Sequence, residues 1–175
     1  VLISDAIKKE KPLVLFLGQE HANDGICDPV LKKMVAHLGL SQSEHENWLA
    51  LMSSGKINKE SYDWLAERFQ RSVLPESVDI IFQLAWSAIF TTSIDPQISQ
   101  KLERRGRTPE SILSKDHYAR VARSRSRPPI YYLFGKCNEM ENNYSVPTNP
   151  IELFQRKNVH TNPLLSRITD TVTPL

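Results

Sequence analysis

Five consecutive apolar residues, Leu13-Val14-Leu15-Phe16-Leu17, end abruptly at Gly18. A strand with one wet face alternates polar and apolar positions, whereas an unbroken apolar run of this length fits a parallel strand covered on both faces. Behind Gly18 come polar residues, a second glycine at Gly25, and a helix-like run from Pro29. Strand, glycine, loop and helix in this order form the first turn of a nucleotide-binding α/β domain. There the glycine lets backbone approach a phosphate and the helix offers its unpaired N–H groups. The loop carries neither G-x-G-x-x-G nor G-x-x-x-x-G-K-[ST], so the buried strand is the firmer half of the signal.

Two further apolar segments share this character. Ala85–Thr92 closes on the β-rich tetrad Ile89-Phe90-Thr91-Thr92, and Ile130-Tyr131-Tyr132-Leu133 is stopped by Gly135. Between the first two strands the pattern is helical. Asp28 and Pro29 open a helix through Val30, Leu31, Met34 and Val35, and Ser43 with Glu46 forms a capping-box pair ahead of Trp48. Asn58 opens a third helix, striped by Tyr62, Leu65 and Phe69, and Pro75 restarts a helix that runs to Leu84. Asp95-Pro96 launches a helix carrying Ile98 and Leu102. Residues 107–127 read as polar loop with a helical turn over Pro109–Leu113, and Ile151–Arg156 and Pro163–Val172 as closing helices. Ser4–Lys11 reads as a short leading helix. The expected fold is α/β: a Rossmann-like parallel sheet with a helical insertion after the first strand, over about residues 29–84.

Composition narrows the function classes. At 175 residues and 40% apolar the chain is one globular domain, expected to be part of a longer protein. Cys27 and Cys137 are too few for a disulfide scaffold or a tetrahedral metal site, so no metal is expected. No apolar run reaches the roughly 18 residues of a membrane span, and the expected location is the cytoplasm. The net charge of +2 hides an excess of +6 over residues 101–127, where a nucleic-acid surface would draw on Arg104, Arg105, Arg107, Arg120, Arg123, Arg125 and Arg127. A solvated connector is the simpler reading of such a run.

Ligands of an open parallel sheet bind beyond the carboxyl ends of its strands. Here those ends read Gly18-Gln19-Glu20-His21 with Gly25-Ile26, then Thr91-Thr92-Ser93-Ile94-Asp95, then Leu133-Phe134-Gly135. In this order they resemble the sirtuin and SIR2-like group, with strands ending in G-A-G-x-S, T-x-N-x-D and L-H-G. Trp86-Ser87-Ala88-Ile89-Phe90-Thr91-Thr92 is most similar to the bacterial SIR2-like domains. The resemblance implies an NAD or ADP-ribose crevice built from Gly18, Gln19, Glu20, Gly25, Thr92, Ser93, Asp95 and Gly135. It also implies an antiphage setting, in which active relatives destroy NAD.

The chemically employed positions depart from that pattern. Phe134 stands where the family has a histidine base, and a phenyl ring cannot take a proton. Ser93 replaces an asparagine, and a hydroxyl cannot present an amide's donor and acceptor together. Glu20 brings a carboxylate to a position that should approach a pyrophosphate. No catalytic residue is therefore expected. The leading expectation is a degenerate module, a pseudoenzyme for assembly or nucleotide sensing, with a protein partner or a second copy and no cofactor as a reactant. An NAD hydrolase with its base relocated to His21 or Glu20 is the first alternative, and a nucleic-acid-binding module using 101–127 the second. Asp95 also reads as a cap for the following helix, and His117 and His160 as polar-stretch residues without metal spacing.

Overall fold

A computed structural model of the chain describes residues 12–18, 29–70, 80–117, 126–139 and 146–172. The elements are β1 (Val14–Leu17), α1 (Pro29–His37), α2 (Trp48–Ser53), α3 (Lys59–Gln70) and a 3-10 turn (Ile81–Gln83). There follow β2 (Ala88–Thr91), α4 (Gln97–Arg104), β3 (Glu110–Ile112) and β4 (Pro129–Tyr132), then α5 (Pro150–Arg156), a π turn (Lys157–Thr161) and α6 (Asn162–Val172). The strands form one sheet in the order β1-β2-β4-β3, every neighbouring pair parallel. This is the Rossmann-like α/β architecture that the apolar runs predict.

Both faces of the sheet are covered at β2 and β4, which is why those strands lack alternation. The first apolar run, expected to be covered on both faces, instead forms the edge strand β1, where only Leu17 is buried and Phe16 is 55% exposed. Leu17, Ile89, Ile130 and Tyr132 face α4, where Ile98 and Leu102 are fully buried, together with Phe82 and Trp86. Ala88, Phe90, Ile112 and Tyr131 face Leu164 of α6. The pairing places Phe16, Phe90 and Tyr131 in one row, with ring centroids 5.2 Å and 4.4 Å apart. The helices between β1 and β2 build a second core from Met34, Leu51, Tyr62 and Leu65, and Ile94 and Cys137 join it at the strand ends.

Several local expectations are corrected. Pro109–Leu113 was to be a helical turn, yet Glu110–Ile112 is an edge strand. Thr108 N donates to Ser126 O and Glu110 N to Pro128 O, so the start of β4 takes the donors that a helix would have used. Ser43 and Glu46 do not cap α2. Asn47 does, its side chain accepting from Ala50 N at 2.9 Å, while the Ser43 hydroxyl pairs with Ser41. His45 lies in that turn, its Nδ1 2.9 Å from Ser41 O. Asn58 does open its helix, accepting from Ser61 N at 2.9 Å. The two closing helices join through the π turn. Of the helix expected from Pro75 to Leu84, the described part forms the 3-10 turn, and the rest lies outside the described residues, as do Ser4–Lys11 and Asp28.

Candidate functional site

The three strand ends named from the sequence lie side by side. Beyond the strands proper the ladder continues, with Thr92 N donating to Leu17 O at 3.1 Å and Leu133 N to Thr91 O at 2.9 Å. Gly18, the Thr92–Asp95 loop and the Leu133–Lys136 turn are thus brought to one edge of the molecule. Gln19, Glu20, His21, Gly25 and Cys27 lie outside the described residues.

The Thr92–Asp95 loop holds itself together. Ser93 is fully buried, its N donating to Thr91 Oγ1 at 2.9 Å and its hydroxyl donating to one carboxylate oxygen of Asp95. The other Asp95 oxygen accepts from Gln97 N at 2.9 Å, so Asp95 tethers the first residue of α4. With both groups committed inward, neither presents a free polar atom to a ligand. Gly135 turns the chain after β4 at φ +90°, a conformation that a Cβ disfavours, and this accounts for a glycine at that position. Cys137 then closes the turn, its N donating to Ile94 O at 2.8 Å. Burial pushes the Cys137 thiol up to about 12, which favours the thiol over the nucleophilic thiolate.

Over these strand ends sits a half-open cavity of about 290 Å³. Its floor is Thr92 and Ile94 from the end of β2 with Phe134 from the end of β4. Trp48 and Met52 of α2 form one wall. Val146, Pro147 and Leu153 of the segment entering α5 form the other. Among the described lining residues none is ionisable, and Thr92 supplies the one side-chain hydroxyl. Phe134 thus stands at the cavity floor, where it contributes apolar surface and no proton acceptor. Thr92 and Phe134 were legible from the sequence. Trp48, Val146, Pro147 and Leu153 were not, because ordinary core spacing does not mark which apolar residues stop short of contact.

Behind β3 and β4 the polar groups are cationic and buried. Arg156, 5% exposed at the end of α5, donates to Leu113 O at 2.7 Å, Leu133 O at 3.3 Å and Tyr132 O at 3.4 Å. Burial lowers its pKa to about 10. Thr161 adds a bond from its hydroxyl to Leu133 O at 2.7 Å. Lys136 reaches Ser111 Oγ at 3.3 Å across the Tyr132 ring, and burial lowers its pKa too. Burial raises the Tyr132 phenol well above its usual range, and the Ser99 hydroxyl acts against that rise. His160 is buried in the π turn, not placed in a polar stretch, and its Nδ1 has no hydrogen-bond partner among the described residues. Burial first, then the Arg156 cation, lowers its pKa. The ring of His117 meets Leu113 N through Nδ1 at 3.3 Å.

The described arginines of the basic segment lie at the opposite end of the sheet. Arg107 is not a free surface cation: its Nη1 donates to Leu84 O at 2.8 Å ahead of β2. Arg104 and Arg105 end α4, and Arg127 precedes β4, all three exposed at the amino ends of the strands. Arg120, Arg123 and Arg125 lie outside the described residues. Among the described residues no helix is long and apolar enough to cross a membrane. No family model matches the chain, and no curated protein matches it.

Proposed function

We propose that this chain is a catalytically degenerate SIR2-like module that holds a nucleotide such as NAD or ADP-ribose at its strand ends without cleaving it. It would serve as a sensing or assembly part in the antiphage setting that the resemblance implies. The observation that carries the reading is the cavity floor, where Phe134 lies beside the end of β2 and no described lining residue can accept a proton. Removing a ribose proton requires such an acceptor within hydrogen-bond reach. Ser93 and Asp95, turned inward upon each other, support a loop kept for its shape. The exposed Leu49, Ile151 and Phe154, on α2 and α5, support an assembly role beside the same cavity.

Isothermal titration of NAD and of ADP-ribose into the purified chain tests the reading. The expected result is saturable binding in roughly the sub-millimolar range, weak because Glu20 stands in the sequence where the resemblance implies a small residue against the pyrophosphate. Absence of heat with both nucleotides at millimolar concentration would overturn it.

A further inference from the structure

We propose that the cavity over β2 and β4 is a binding site for a small uncharged ring compound bearing one hydrogen-bonding group, which meets the Thr92 hydroxyl. Its volume of about 290 Å³ lies at the small end of ligand cavities, enough for one or two fused rings and too little for a whole dinucleotide. Trp48 and Phe134 offer aromatic surface, and Met52, Ile94 and Leu153 offer aliphatic surface. A charged group placed here would lose its hydration without an opposite charge among the described lining residues to replace it.

Two lining carbonyls already accept hydrogen bonds from the protein, and Thr92 carries the one side-chain hydroxyl among the described lining residues. Ile94 O accepts from Cys137 N at 2.8 Å, and Pro147 O accepts from the Tyr62 hydroxyl at 2.6 Å. Thr92 N is committed to Leu17 O, while the Thr92 hydroxyl has no hydrogen-bond partner among the described residues. One hydroxyl on an otherwise apolar wall sets orientation for a ligand with one complementary atom. The wall that enters α5 is held by its own hydrogen bonds. Asn149 caps α5 by accepting from Glu152 N at 3.0 Å, and the Glu152 carboxylate accepts from Thr148 N at 2.8 Å and from its hydroxyl at 2.9 Å. Little ordering is left for a ligand to impose on binding. The inference goes beyond the nucleotide reading: the cavity takes an uncharged ring alone, and the phosphates of a dinucleotide would have to lie outside it.

The test is titration of the whole chain with indole, toluene and indole-3-acetate, followed by heat or ligand-observed NMR. Indole is expected to bind saturably, and indole-3-acetate at least about tenfold more weakly because its carboxylate is stripped of water. Thr92→Val should weaken indole by about three- to tenfold through loss of one hydrogen bond while leaving toluene unchanged. Leu153→Trp, which fills the cavity from its wall, should abolish both with the circular dichroism unaltered. Equal binding of the anion, or indole binding that survives in a folded Leu153→Trp chain, would overturn the proposal. Indole binding by a chain that ignores NAD would support it and overturn the nucleotide reading. NAD binding without any indole binding would do the reverse.

Discussion

Arg156 is the residue on which the closing helices hang. Its guanidinium spans the ends of two strands, donating to Leu113 O of one and to Tyr132 O and Leu133 O of the other. A planar fork does this and an ammonium does not. Arg156→Met keeps the stem and strands the carbonyls, so it is expected to cost about 3 kcal/mol in urea unfolding, with Arg156→Lys recovering only part. His160 beside it sets the pH response. Burial and the Arg156 cation hold its folded pKa below the ordinary 6.5, with Lys115 and His117 acting the same way and Asp116 against. The unfolded chain therefore binds the proton more readily. No penalty exists well above the unfolded value; it grows as pH falls through that value and is complete below the folded one. The urea midpoint is expected to drop between about pH 7.5 and about pH 5.5, and His160→Asn to flatten that drop.

At the scale of elements, the turn after β4 is where backbone conformation and site meet. Gly135 at φ +90° sends the chain from Phe134, on the cavity floor, to the buried Lys136. Gly135→Ala should cost about 1–3 kcal/mol as strained backbone, read as a lowered Tm, and should weaken any ligand resting on Phe134. The strands β1, β2 and β4 were legible because each is an unbroken apolar run; burial on both faces accounts for that run in β2 and β4 but not in edge strand β1, where Phe16 is exposed. Edge strand β3 was not: Glu-Ser-Ile carries one inward residue, Ile112, and becomes a strand only because β4 offers a free edge. The cap of α2 lies four residues beyond Ser43: Ser43 and Glu46 have the right spacing, while Asn47 has the position next to the first helical residue. The inward turn of Asp95 was legible, because Pro96 follows it and the next helix needs an acceptor. The cavity was hidden for a different reason. Trp48 and Leu153 are far apart in sequence and apolar like their core neighbours, and only the packing reveals that they enclose space.

Across the whole molecule the two ends of the sheet differ in chemistry. The carboxyl ends of β2 and β4 open on an uncharged cavity, and the amino ends carry the exposed Arg104, Arg105 and Arg127. A phosphate backbone drawn to the arginines would lie a full strand length from Phe134, so the nucleic-acid reading and the strand-end reading are separable. Changing Arg104, Arg105 and Arg127 to glutamate together should leave indole binding unaltered while abolishing any salt-sensitive association with DNA or RNA. What joins the two ends is the parallel sheet, whose order puts β4 between β2 and β3 and so sets Phe134 beside the end of β2. The chemical outcome turns on that side chain. The most direct measurement is nicotinamide release from NAD by micromolar purified chain over hours. The expected result is no release above the buffer rate. Release that disappears on substituting Glu20 or His21 would contradict the account, because it would mean that a proton acceptor has been supplied from the first loop.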